Sequence, residues 1–207
     1  MFIAQFAILI YSVILHEISH GWLAERLGDP TARNAHRLTL NPIPHIDPLM
    51  TIALPLLLII SGSPVVFGAA KPVPINPLYF QDAKRDIALT AAAGPITNII
   101  IALIFGIVLR LSLIFILNES LLSAAQSLAA YGVEINIILA IFNLLPIPPL
   151  DGFKVVGGLL PDEYARSWYE LERFGMLIII AVLFLFPNII YAVVNPIIHT
   201  FLQFLLP

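Results

Sequence analysis

Cysteine is absent from all 207 residues, and charge is scarce, with Lys, Arg, Asp and Glu making up 11% of the chain. The first absence excludes disulfides, thiolate metal sites and a cysteine nucleophile, so any metal must be held by nitrogen and oxygen donors. The second argues against a water-soluble surface, which needs about 25% charged residues. A formal net charge of -3 leaves no basic face for nucleic acid. Internal repeats and low-complexity tracts are also missing.

What fills the chain is apolar sequence: 59% hydrophobic residues and a mean hydropathy of +0.96, against about 45 to 50% apolar in soluble domains. It reads as a membrane protein forming one membrane-embedded domain over residues 1–207. Apolar runs cover residues 1–23, 48–68, 87–117, 131–145, 174–186 and 189–206, and a helix crosses the hydrocarbon with about 20 residues. The run from 131 is short and must recruit flanking residues, while Pro187 and Asn188 read as a turn between the last two runs. Pro55 interrupts the second run and "SGSP" ends it early. The expected fold is therefore all-α and polytopic, with about five transmembrane helices plus a re-entrant loop of helix and β-strand. The strand is expected over residues 64–73, "PVVFGAAKPV", from its β-branched and aromatic residues between glycine and proline breaks. The first run lacks a basic start and carries His16, Glu17 and His20, which argues against a cleaved signal peptide.

Those three residues form "HEISH", residues 16–20. Each residue of a helix advances about 100°, so His16 and His20 stand about 40° apart on one face with Glu17 beside them. Two imidazoles at this spacing suit Zn²⁺, and the glutamate can take a proton from water at the metal. The five-residue pattern is weak alone, but ionisable groups inside an apolar span normally face a cavity or a partner. A catalytic zinc needs a third protein ligand and an open position. Of the acidic residues, Glu134 and Asp151 are tied to a second strongly apolar helix. Asp151 closes "FNLLPIPPLDG", residues 142–152, where Pro146, Pro148 and Pro149 end the helix and free backbone groups. Irregular backbone at membrane depth is tolerated against protein or a wet cavity.

"HEISH", "AGPITN" (residues 93–98) and "NLLPIPPLDG" (residues 143–152), in that order on three apolar segments, resemble the intramembrane zinc metalloproteases of the site-2 protease family. "RLTLNPIPHIDP" (37–48) and "FGAAKPVPINP" (67–77) resemble its compact bacterial and archaeal branch. The resemblance implies one Zn²⁺ held by His16, His20 and Asp151, with Glu17 as general base. It places Asn143 at the active site as an oxyanion donor, although a helix-capping role serves that residue equally well. Gly94, Pro95 and Asn98 are implied to shape the middle core helix. The catalytic core would span about residues 1–160, with a C-terminal helical pair over about 170–206. Neither a PDZ module nor a regulatory nucleotide-binding domain is expected. Substrates would be single-span membrane proteins, cleaved within or near their transmembrane segments while held by strand addition to residues 64–73.

Alternatives from other classes are a metal-binding transporter, which would carry more intramembrane ligands and a repeat, and a catalytically silent membrane scaffold. A prenyl-protein protease would use Glu134 as the third ligand. His45 and Asp47 in "HID" are read as rigidifying a proline-rich loop rather than binding a second metal. Together with His36 and Asn41 they are expected to line the water path. Nine basic residues, from Arg26 to Arg173, fall on one side of the expected topology and Arg110 on the other. The positive-inside rule makes the larger set cytoplasmic. The expected location is the cell membrane, multi-pass, with the amino terminus outside, the site towards the cytoplasm and the carboxyl terminus inside.

Overall fold

The computed structural model describes residues 1–60, 68–185 and 187–205. The chain forms α1 (Phe2–Arg26), α2 (Thr31–Asn34), a π-turn (Pro48–Ala53) running into α3 (Leu54–Ile60), α4 (Ala83–Phe115) and α5 (Glu119–Asn143). Then follow α6 (Asp151–Leu159), α7 (Asp162–Glu170), α8 (Gly175–Leu185) and α9 (Pro187–Leu205). Among the described residues α1, α4 and α5 are long and apolar enough to cross a bilayer. Their outer faces expose side chains such as Phe2, Ile3 and Phe6 on α1 and Ile100, Ile104 and Ile107 on α4. A continuous apolar exterior of this kind is stable against lipid and not against water. The chain is a membrane protein.

The helices start where local chemistry allows. Asp82 caps α4 by accepting from the Arg85 N–H at 3.0 Å, and Asn118 caps α5 by accepting from the Leu121 N–H at 3.0 Å. Residues 131–145 are extended back to Glu119 because the preceding stretch is rich in alanine and leucine, which favour helix once a cap is in place.

Helix α4 packs against α1, α5 and α6 and so forms the centre of the bundle. Contacts along it fix direction. His16 meets Asn98 and His20 meets Thr90, while Asn136 meets Asn98 and Gly132 faces Phe105. As numbering rises on α1 or α5 it falls on α4. Helices α1 and α5 therefore run the same way and α4 runs opposite to both, which is the arrangement required to bring the ends of α1 and α5 to one site.

Three expectations need correction. No β-strand occurs among the described residues. In the described part of 64–73, residues 68–73 find no neighbouring strand: Ala69 and Lys71 donate to the loop carbonyls of Met50 and His45, at 3.1 and 2.9 Å. Residues 61–67, including Ser63 and Phe67, lie outside the described residues. Second, Pro187 and Asn188 do not make a turn but begin α9, where a proline at the first helical position loses no hydrogen bond. Third, the described end of α9 is not beside Lys84 and Arg85 of the basic set. The Arg110 guanidinium donates to the Phe204 carbonyl at 3.1 Å, which puts the end of α9 at the far end of α4 from Lys84 and Arg85. Among the described residues α8 has 11 residues, a rise of about 16 Å, and neither α8 nor α9 is among the three helices long and apolar enough to cross a bilayer.

Candidate metal centre

His16 and His20 project from the inner face of α1 at 6% relative exposure each, and Asp151 opens α6 opposite them. The carboxylate oxygen Oδ2 of Asp151 lies 3.1 Å from His16 Nε2 and 3.3 Å from His20 Nε2. Ligands about 2.0 to 2.2 Å from a tetrahedral zinc are themselves about 3.3 Å apart, so the spacing fits a shared ion.

Protonation makes the fit chemical as well as geometric. His20 Nδ1 lies 2.7 Å from the Thr90 carbonyl, which can only accept, so the proton sits on Nδ1 and Nε2 keeps its lone pair. His16 Nδ1 lies 2.5 Å from Asn98 Oδ1, with the same consequence. Two imidazole lone pairs and a carboxylate oxygen then converge, and Asp151 Oδ2 is buried without a hydrogen-bond donor. Such a cluster is repulsive until a cation enters it. These three residues are the His, Cys, Asp and Glu group so assembled among the described residues.

Glycines let the backbones come this close. A Cβ on Gly94 would fall 2.5 Å from Nε2 of both histidines. Pro95, next in line, leaves the Ala91 carbonyl without its helical donor, and the adjacent Thr90 carbonyl accepts from His20 Nδ1. A Cβ on Gly152 would strike the Leu144 carbonyl at 2.1 Å, so only glycine can follow Asp151 as the chain folds back past the end of α5. Further along α6, Gly158 admits Ala88 of α4 and Gly157 admits the Tyr169 ring. Phe153, fully buried, stacks on Trp168 at 4.8 Å between centroids, and the Trp168 indole donates to the Phe153 carbonyl at 2.8 Å. The first residue of α6 is thus held from three sides.

A cleft of about 1300 Å³ opens on this cluster, lined by Glu17, Asn143, Glu134 and residues 68–70, 72 and 73 among others. Glu17 Oε2 accepts from the Val73 N–H at 2.9 Å, which fixes the carboxylate and leaves its other oxygen to the cleft. Asn143 lines the cleft while its amide nitrogen donates to the Leu139 carbonyl at 2.9 Å. Glu134 is on the cleft wall and outside the three-residue cluster.

His45 is buried and bonded to the Thr39 carbonyl at 2.9 Å, and the Asp47 carboxylate accepts from the Leu49 and Met50 N–H groups at 2.9 and 2.8 Å. Neither these two nor His36 or Asn41 lines the cleft, whose loop side instead includes residues 68–70, 72 and 73. Two partners escaped the sequence reading. Asn136, fully buried on α5, contacts Asn98, and a lone amide in an apolar run is the signal it left. The Val73 backbone left none.

Residues 110–186 match Peptidase family M50. The chain is 35% identical over 181 residues to YwhC of Bacillus subtilis, covering 86% of this chain and 78% of that protein. It is 31% identical over 189 residues to Rip2 of Mycobacterium tuberculosis, covering 91% and 69%. Both relatives carry the name "Putative zinc metalloprotease". No solved structure matches. With HEISH and the aspartate of the LDG turn meeting at one point, and relatives of this length and identity, the chain belongs to Peptidase family M50, the site-2 protease family of metalloproteases.

Proposed function

We propose that the chain is an intramembrane zinc metalloendopeptidase that hydrolyses peptide bonds within or near the transmembrane segments of single-span membrane proteins. The observation that carries this reading is the convergence of His16 Nε2, His20 Nε2 and Asp151 Oδ2 beside Glu17, in a cleft between apolar helices. Those three atoms hold the metal. Zinc, when bound, polarises a substrate carbonyl and makes water a nucleophile near neutral pH. Glu17 accepts the water proton on the oxygen that Val73 leaves free and returns it to the leaving amine. Asn143 keeps one amide hydrogen to offer a developing oxyanion, since the other goes to Leu139.

A helical substrate must unwind to present its carbonyl. Along residues 68–73 the backbone is bonded at alternate positions: Ala69, Lys71 and Val73 through their N–H groups, and the Ala69 and Lys71 carbonyls to Thr51 and Arg37. Ala70, which lines the cleft between them, has no backbone hydrogen-bond partner among the described residues. That free N–H and C=O suit strand addition by an extended substrate.

The protein is multi-pass in the cell membrane, with residues 1–207 acting as one protease domain and the site towards the cytoplasm. Ala69 donates to the Met50 carbonyl, so the chain returns after α3 to where it left, as a re-entrant loop does. The basic residues Arg26, Lys84, Arg85 and Lys154 then share the cytoplasmic side. Incubation of the purified protein in detergent with a model transmembrane substrate tests the reading. Cleavage should occur within the span and stop when a zinc chelator is added. Cleavage indifferent to the chelator would refute it.

A further inference from the structure

Three apolar helices each contribute one uncharged polar side chain to a single buried point. Ser12 of α1 is 2% exposed, and Asn98 of α4 and Asn136 of α5 are fully buried. Polar groups in such a place are costly unless every one is partnered, and here their partners form an ordered chain. Asn136 Nδ2 donates to the Gly132 carbonyl at 2.8 Å and to Ser12 Oγ at 2.9 Å. Asn98 Nδ2 donates to Asn136 Oδ1 at 2.9 Å and lies 3.5 Å from the Ser12 carbonyl. Asn98 Oδ1 is left facing His16 Nδ1.

The orientation of each group follows from the last. The Gly132 carbonyl can only accept, so the atom of Asn136 facing it is the NH₂ group, and Oδ1 must point to Asn98. That oxygen requires an NH₂ from Asn98, and the Ser12 carbonyl requires the same group independently. Asn98 therefore presents its oxygen, not its NH₂, to His16.

His20 needs no such chain, because the Thr90 carbonyl that holds it belongs to the backbone of α4 and cannot turn over. A side-chain amide can. If Asn98 turned over, its NH₂ would face His16 Nδ1 and favour the tautomer with the proton on Nε2, the atom that must bind the metal. We propose that Asn136, backed by Ser12, is a positioning residue for the metal centre: it locks the amide of Asn98 and thereby the tautomer and ring orientation of His16. This rests on the zinc reading of the site.

The test is the zinc dissociation constant of the purified full chain, measured by competition with a chromogenic chelator, beside the thermal midpoint of the metal-free protein. Loss of an outer hydrogen-bond partner typically weakens metal binding 10- to 100-fold. Asn98→Leu should fall in that range, Asn136→Leu should weaken binding by about tenfold, and Asn98→Leu/Asn136→Leu should bind no more weakly than Asn98→Leu alone. Asn136→Ala removes the same amide and carries the same expectation if the leucine variant does not accumulate. Ser12→Thr, which keeps the hydroxyl, should bind more tightly than Ser12→Ala. A purely structural role would lower the thermal midpoint and leave zinc affinity within about twofold of the unaltered chain. That result, or losses that multiply in the double variant, would overturn the relay. If the unaltered chain binds no zinc, the metal reading falls and this proposal with it, an outcome distinct from unaltered and Asn136 variants binding zinc equally.

Discussion

On one side of the cleft α1, α4 and α6 touch through residues that allow no adjustment: Gly94 lies beneath both imidazoles, Gly152 against the end of α5, and buried amides behind His16. On the other side residues 68–73 have no regular structure and are tied down by single hydrogen bonds to Met50, His45, Arg37 and Glu17. The difference matches the chemistry proposed for each side. A metal tolerates misplacement of its ligands by only about 0.5 Å, so its wall is made of close-packed helices. A surface that accepts varied extended segments needs backbone groups along an open edge, and an irregular segment supplies them. One hydrogen bond, from Val73 to Glu17, joins the two walls at the proposed base.

Substitutions should separate the two walls by size of effect. His16→Ala, His20→Ala and Asp151→Ala should each abolish both zinc binding and cleavage, read as metal content and product after gel separation. Gly94→Ala comes next, because the added methyl must push the imidazoles beyond the tolerance of the site. Zinc affinity should fall by on the order of 100-fold, and unchanged affinity would show that the helix contact is not as tight as 2.5 Å implies.

The opposite wall should give smaller, substrate-dependent effects. Ala70→Pro removes the unpaired N–H while sparing the inward bonds of Ala69 and Lys71. A hydrogen bond is worth about 0.5 to 1.5 kcal/mol, so cleavage of stable helical substrates should fall by about two- to tenfold. Substrates already loosened by glycine or proline should be affected less, and equal losses on both would count against strand addition. Smallest of all, Asp162→Asn breaks the exposed pair with Lys84, whose ammonium holds the Asp162 carboxyl below its ordinary range. Exposed ion pairs contribute little, so neither activity nor zinc content should change.

Sidedness sharpens the comparison independently. The chain has no cysteine, so Gln81→Cys should react with an impermeant thiol reagent only from the cytoplasm and Ser120→Cys only from outside.

The cluster of His16, His20 and Asp151 was legible in sequence because its signals are periodic or costly. Two histidines one helical turn apart, with a glutamate between them in an apolar run, point to one face, and three prolines before Asp151 mark where the backbone breaks. Asn136 was not legible, since which helix face meets Asn98 depends on packing across 38 residues of chain. The other wall was read as a strand from its composition, yet strand formation needs a partner edge that sequence does not supply. The end of α9 was not legible for a similar reason: hydropathy marks apolar runs, whereas the position of Phe204 beside Arg110 is a tertiary fact.

In the proposed mechanism the three converging atoms hold a metal and Glu17 moves the proton. The most direct measurement compares the unaltered chain with Glu17→Gln for zinc content and for cleavage of a transmembrane substrate in detergent. The amide cannot take a proton but is not a ligand, and general acid–base catalysis typically contributes about 10² to 10⁴ in rate. The expected result is equal zinc in both proteins and cleavage by Glu17→Gln at least about 100-fold slower. Retention of more than about a hundredth of the activity, or loss of the zinc along with it, would contradict the assigned role of Glu17.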